Sequence, residues 1–294
     1  MNAHALAETQ DHQVVSRQIS DGPATETALP GRGDGHLVLV VGDKFRAFSD
    51  GKAAITLSQL RGLLDLPAGL ILCERTILVP GQGLSDGDVA EILQRAETTA
   101  HRERIDFRLW TMVPKRVEGK LSHKHRERNI LVSAPRRIDE DDYELDLLID
   151  ENCELMDDHQ TGQHLQGMVL VEAARQAFLA VTEAFILPRD GGKVYFVFNS
   201  LAIEFKRFMF PIASGIKLRV LERGHGGKYP RFAVDILFEQ AGQETAHVRA
   251  GYMIMPDQRI LQVEQGLAEQ AIAWQFDNLA TLAPAMLPDT LVAE

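Results

Sequence analysis

From Met156 to Ile186 the chain reads MDDHQTGQHLQGMVLVEAARQAFLAVTEAFI: a polar, glycine-bearing lead, then a long run at helical spacing with almost no polar face. Three charged residues, Glu172, Arg175 and Glu183, interrupt an otherwise apolar cylinder. A helix apolar nearly all round is buried on nearly all sides, and the segments that follow this one read as strands. The simplest architecture for that order is an α+β one, a sheet wrapped round a central helix. Charges on such a helix are the first place to look for chemistry, because each is costly to desolvate unless it is paired.

The strand candidates after the helix are VYFVFNSLAIEFKRFMF, GIKLRVLERG, YPRFAVDILFEQ and ETAHVRAGYMIMP. Alternation at Phe232, Val234, Ile236 and Phe238 predicts antiparallel strands with one covered face. Before the helix, ILVS and YELDLLID read as strands leading into it. Further upstream, HLVLVVGDKFRAF reads as strand, Gly-Asp turn, strand. ITLSQLRGLLDL follows as a helix, with Thr56 or Ser58 as its cap and Leu57, Leu60, Leu63 and Leu64 on one face. Then come the strand ILCERTILV, a Gly-rich turn, LSDGDVAEIL and a polar helix to about Arg104. Leu84, Asp86, Gly87, Asp88 and Val89 resemble the loop before the last strand of a β-grasp, ubiquitin-like module. The expected organisation is a disordered leader over 1–35, a small α+β module over 36–104, the helix-and-sheet domain over 105–260, and a C-terminal helix and tail over 261–294.

Composition removes several classes of function. A net charge of −11 argues against a general nucleic-acid surface. Two cysteines, Cys73 and Cys153, have no metal-ligand spacing and make no disulfide framework, so a reducing, cytoplasmic setting is expected. No apolar run reaches the length of a membrane span, and the N-terminus has no basic or apolar signal region. Against the acidic whole, a basic cluster of Lys115, Arg116, Lys120, Lys124, Arg126 and Arg128 precedes the central helix.

Beyond the order of elements, particular residues carry a family resemblance. Leu121-Ser122-His123-Lys124 with Asn129-Ile130-Leu131-Val132, then Asp158-His159, Gly162-Gln163-His164, Gly167-Met168, Glu172-Ala173-Ala174-Arg175-Gln176 and Phe205-Lys206-Arg207-Phe208 resemble the A-factor biosynthesis hotdog family over roughly residues 112 to 256. The resemblance implies a hotdog fold and an acyltransferase acting on β-ketoacyl thioesters carried by acyl carrier protein or coenzyme A, in signalling-molecule or secondary-metabolite biosynthesis. It implies no cofactor. The best-known members look like tandem hotdogs, whereas this chain has one hotdog behind a different N-terminal module. A more distant similarity is to hotdog hydroxyacyl-thioester dehydratases, with His159 and Glu172 in the places of their histidine and glutamate, but their Pro-rich connection is replaced here by Gln163-His164-Leu165-Gln166.

Read physically, Glu172, Arg175 and Gln176 fall on one helix face. Glu172 is a candidate general base or an orienter of hydroxyls, and Arg175 a candidate donor to an oxyanion or phosphate. An internal Glu-Arg bridge with no chemical role is the alternative. His159 and His164 flank a glycine in the entrance loop and titrate near neutrality, so both are acid–base candidates, His159 first. Asp158, His159 and His164 do not make a metal-ligand spacing, and no metal is expected. Backbone N–H groups at Gly167 and Met168 open the helix and suit a thioester carbonyl. Gln176, Lys124 and Arg126 are the other expected substrate contacts, and His123 reads as a turn or strand-end residue. With no Gly-x-Ser-x-Gly elbow and no Cys paired with His, direct transfer without a covalent intermediate is expected. A non-catalytic acyl-ligand or protein-binding hotdog, with a ubiquitin-like module recruiting a partner protein, is the competing class; a dehydratase or thioesterase is the third. A single hotdog leaves a sheet edge uncovered, so a homodimer with continuous sheets is expected.

Overall fold

The structure, a computed structural model, describes residues 36–67, 75–158, 161–187, 192–224 and 229–282. The expected leader, Cys73 and His159 lie outside them. Within Gly35–Glu294, which forms one unit, a small parallel sheet precedes a large antiparallel one.

The small sheet has the order β2-β1-β3-β4, formed by β1 (His36–Val41), β2 (Ala54–Thr56), β3 (Thr76–Pro80) and β4 (Ile105–Asp106). Every neighbouring pair is parallel, so the expected β-grasp is replaced by a parallel α/β layer. The physical reason lies just after β1. Instead of a hairpin turn, Gly42 leads into a 3-10 turn, Asp43–Phe45, and the short helix α1 (Arg46–Ser49). Phe45 is fully buried among the side chains of the large domain's core, so the second apolar run is no strand. The apolar run Val38–Val41 is what a parallel strand covered on both faces looks like, with Val40 in the core of the small layer and Val41 in that of the large domain.

Two capping boxes set the helices of this layer. Thr56 caps α2 (Leu57–Leu64) with Gln59 answering, and Leu57, Leu60 and Leu64 are buried as expected. Ser85 caps α3 (Asp86–Thr98) with Asp88 answering, so the segment read as a β-grasp loop is a helix start. The last strand, Ile105–Asp106, and the buried Trp110 carry this layer past the boundary expected at 104.

The large sheet has six strands in the order β5-β6-β8-β9-β10-β7. They are β5 (Arg136–Arg137), β6 (Asp142–Asp146), β7 (Val194–Phe205), β8 (Gly215–Gly224), β9 (Arg231–Gln240) and β10 (Gln243–Pro256). All pairings are antiparallel. The short α4 (Gly119–Ser122) lies ahead of β5 in the chain, and between β6 and β7 comes the central helix α5 (Gly167–Val181), which ends in a π-helical turn, Thr182–Ile186. This is the hotdog arrangement of one antiparallel sheet on one buried helix. Along β9 every second residue from Phe232 to Gln240 points inward. Phe238 stands opposite Ala246 and Val234 opposite Ala250, and these large–small pairs make a surface against which the alanine-rich face of α5 packs.

Residues Gly81-Gln82-Gly83, at the carboxyl end of β3, join the two layers. Gln82 sends its side-chain N–H to the Leu147 carbonyl at 2.8 Å and accepts from the Ile149 N–H at 2.7 Å. The crevice at the carboxyl ends of parallel strands, where α/β layers commonly take ligands, is filled here by the hotdog's own Glu151. Its carboxylate accepts the Lys44 N–H at 2.8 Å, and a Cβ on Gly42 would stand 2.5 Å from that oxygen. Burial, with Asp43 and Asp88 nearby, pushes the Glu151 carboxyl up despite the Lys44 contact. A final helix, α6 (Asp257–Leu282), covers the start of the expected C-terminal helix and begins directly from β10. None of the described helices is long and apolar enough to cross a membrane.

Candidate functional site

Glu172 lies in the second turn of α5, on a helix whose other inward positions are Val, Leu, Ala and Phe. Its carboxylate is almost fully engaged. Arg175 donates through Nε and Nη2, both at 2.8 Å, to the two oxygens. Lys124 Nζ lies 3.0 Å from Oε1, and Gln176 Nε2 donates to the same oxygen at 2.9 Å. Burial alone would push the carboxyl up, but the hydrogen bonds from Arg175 and Gln176 and the charges of Arg175 and Lys124 outweigh it and hold it below the usual range. A carboxylate so stabilised is a weak base. Of the two roles expected for Glu172, this geometry favours the orienter.

Gln176 is fully buried, accepting from the Leu131 N–H at 2.8 Å and donating to the Asn129 carbonyl at 2.8 Å. It reaches the site through Glu172 and pins α5 to the 129–131 segment. Arg175 keeps about a third of its side chain accessible.

The entrance loop is held from outside the hotdog. Phe48 N–H donates to the Gly162 carbonyl at 2.9 Å, Gln163 Nε2 to the Ala47 carbonyl at 2.8 Å, and Lys44 Nζ to the Met156 carbonyl at 2.8 Å. The small parallel layer thus fixes the loop that carries His164. There His164 Nδ1 lies 3.3 Å from the Thr161 hydroxyl, and its ring lies 4.6 Å from that of Phe208. His159, the first acid–base candidate, is outside the described residues. At the start of α5, Gln166 makes no side-chain cap, and Met168 is exposed. Gly167 is required by contact: a Cβ there would stand 2.8 Å from the Phe205 ring.

The basic cluster divides. Arg116 is buried, bonded to the Asp86 carboxylate and to the carbonyls of Leu84 and Ile130. It ties α3 to the hotdog. Arg126 and Arg128 are exposed. Lys120 and Lys124 line an open cleft of about 1340 Å³, together with His123, His125, Glu183 and Lys193.

His123 and Glu183 were not legible as site residues. Glu183, the third charge of the central stretch, lies 3.2 Å from His123 Nε2 and retains a quarter of its side-chain exposure. The signal available was helical spacing: Glu172 and Glu183 are eleven residues apart, three turns or about 16 Å along one face. Among the described residues no group of His, Cys, Asp and Glu is arranged to hold a metal ion. The buried Cys153 thiol is free, and burial pushes it up, so it is no nucleophile candidate.

Comparison with known proteins bears on the central region. No curated protein matches the chain. Among solved structures, a thioesterase from Pseudomonas aeruginosa is 16% identical, covering 49% of this chain and 96% of its own, with a TM-score of 0.36. A phenylacetic acid degradation-related protein from Ralstonia eutropha is 20% identical, over 40% of this chain and 82% of its own, with a TM-score of 0.32. A thioesterase from Haemophilus influenzae is 15% identical, over 42% and 77%, with a TM-score of 0.32. Residues 106–248 match the A-factor biosynthesis hotdog domain, AfsA. Residues 106–248, the stretch that holds the helix-on-sheet architecture, thus resemble an A-factor biosynthesis hotdog domain in sequence and in the order of their elements.

Proposed function

We propose that the protein is an acyltransferase that moves a β-ketoacyl chain from an acyl carrier protein or coenzyme A thioester to a hydroxyl acceptor. The observation that carries this reading is the pair Glu172 and Arg175 on a helix that is otherwise largely core, with Lys124 brought against Glu172 from the segment after α4. A purely structural core gains little from such a group. In the reaction the acceptor oxygen attacks the thioester carbonyl carbon, its proton passes to a base, the C–S bond breaks, and the thiolate leaves as a thiol after taking up a proton. Arg175, oriented by Glu172, and the uncapped N–H groups at Gly167 and Met168 suit the developing oxyanion. His164 and His159 are the entrance-loop acid–base candidates, and Lys124 and Arg126 suit the phosphate of a carrier arm.

The test is acyl transfer by Glu172→Ala and Arg175→Ala with β-ketoacyl donors on both carriers and a panel of hydroxylated acceptors. Each is expected to lose at least about 100-fold in turnover, the usual scale for one oxyanion donor. Unchanged turnover in both would sink the reading. A free acid or an enoyl thioester as product would assign a thioesterase or a dehydratase instead. One observation favours a binding role: with every direction of Glu172 satisfied, the cluster needs no reaction to explain its charge state. Stoichiometric acyl ligand without product, seen by mass spectrometry, would assign that role.

We also propose that two copies pair along β7. This strand is the long edge of the sheet and leaves Tyr195, Phe198, Leu201 and Phe205 exposed. Such an edge is a template for a second strand.

A further inference from the structure

His123 has a backbone conformation that its side chain does not favour. Its φ is 55°, and Ala241 is the only other non-glycine with positive φ among the described residues. It occupies the position after α4, where the Lys124 N–H returns to the Gly119 carbonyl at 2.9 Å. Helices that end this way use glycine there, or asparagine, since other side chains are strained in the left-handed region. A histidine held there points to a use for its ring.

The ring is fixed on two sides. Nε2 meets the Glu183 carboxylate at 3.2 Å, and the ring edge packs on Phe196 at 5.3 Å between centroids. Glu183 belongs to the π-helical turn Thr182–Ile186 that ends α5. The turn is anchored where Thr182 donates to the Phe178 carbonyl at 2.7 Å and meets the Tyr252 hydroxyl at 2.6 Å. Both partners line the 1340 Å³ cleft. Its other charged and titratable walls are Glu118, Lys120, Lys124, His125, Lys193 and Tyr229.

We propose that His123 and Glu183 form the proton-transfer dyad of this cleft. Glu183 accepts the Nε2 proton and so fixes the tautomer, which leaves the Nδ1 lone pair as the base. As the acceptor oxygen bonds to the acyl carbonyl carbon, its proton moves to Nδ1. When the C–S bond breaks, the same proton passes to the departing sulfur, and His123 returns to its starting state. Glu183 is a positioning residue, and His123 touches the substrate. The assignment rests on the acyl-transfer reading with the carbonyl at the Lys124 and Arg175 end of the site, since the Gly167 and Met168 N–H groups stand about 24 Å of helix from Glu183 and cannot serve the same carbonyl. It adds the base which the engaged Glu172 supplies poorly.

The left-handed backbone makes a clean test, because His123→Asn and His123→Gly both relieve the strain. Each is expected to melt at or above the wild-type temperature and to lose at least about 100-fold in kcat, the ordinary contribution of a general base, with little change in KM for the thioester. Glu183→Gln is expected to keep more activity than His123→Asn and to lower kcat with little change in KM, since an amide oxygen can still accept the Nε2 proton. The nitrogen NMR chemical shifts of the His123 ring read the tautomer without substrate, and the wild type is expected to carry its proton on Nε2. A ring protonated on Nδ1 alone would overturn the dyad. Turnover within twofold of wild type in His123→Asn would overturn the catalytic role, while loss of activity in Glu172→Ala and Arg175→Ala would still uphold acyl transfer. If wild-type protein transferred no acyl group at all, the broader reading and the role of His123 as its base would both fall, whatever the tautomer.

Discussion

At the residue scale, Glu172 is defined by its neighbours more than by burial. Arg175, Lys124 and Gln176 together hold its carboxyl below the ordinary range against the opposing effect of desolvation. A depressed pKa in the folded state means that the stabilisation is present above the unfolded value, about 4.3 for glutamate, and is lost as pH falls through the lower folded value. Acidification through that window is therefore expected to destabilise the wild type more than Glu172→Gln, as read by urea denaturation at a series of pH values. Lys124→Met removes one charged contact of three. It is expected to cost about 1–2 kcal/mol, as for a hydrogen bond to a charged group, and to raise the Glu172 midpoint. A midpoint indifferent to Lys124 would mean that Arg175 and Gln176 suffice.

At the element scale, the N-terminus of α5 is shaped by a strand. Phe205, at the end of β7, lies against Gly167 so closely that a Cβ would stand 2.8 Å from Cζ and 3.0 Å from Cε1. Gly167→Ala is expected to turn the exposed Phe205 ring aside and to cost no more than about 1 kcal/mol, the low end for overpacking. Gly167→Ala combined with Phe205→Ala should recover much of that loss, which a double-mutant cycle of melting curves would show; strictly additive losses would mean that the two do not meet. The small parallel layer acts at this scale too. Through Lys44, Ala47 and Phe48 it grips the entrance loop ahead of α5, so a module expected to recruit a partner has a visible internal role.

At the scale of the whole molecule, the two edges of the large sheet differ. One is β5, two residues long, and the other is β7, twelve residues long with exposed aromatic and aliphatic side chains. The proposed dimer uses the long one. Leu201→Lys would place a charge in the middle of that seam and is expected to weaken association at least tenfold, measured by sedimentation equilibrium. A wild-type monomer at micromolar concentration would count against the seam.

Periodicity in the chain was enough for the hotdog. An apolar helix followed by alternating strands has few ways to bury its surface, and the Glu172–Arg175–Gln176 face follows from helical spacing alone. The capping boxes at Thr56 and Ser85 were equally local, although the second was misread as a loop because Asp88 was not matched to Ser85. The remainder was decided in three dimensions. Nothing local tells a parallel β1 from a hairpin, because the choice depends on Phe45 finding a place in a core built from residues far along the chain. Nor does a lone histidine announce its partner. His123 and Glu183 are sixty residues apart and meet only because α4 packs along α5. So the charges of the Met156–Ile186 stretch were visible from the start, while their partners, Lys124 for Glu172 and His123 for Glu183, came from tertiary packing, which alone brings distant side chains within hydrogen-bonding reach.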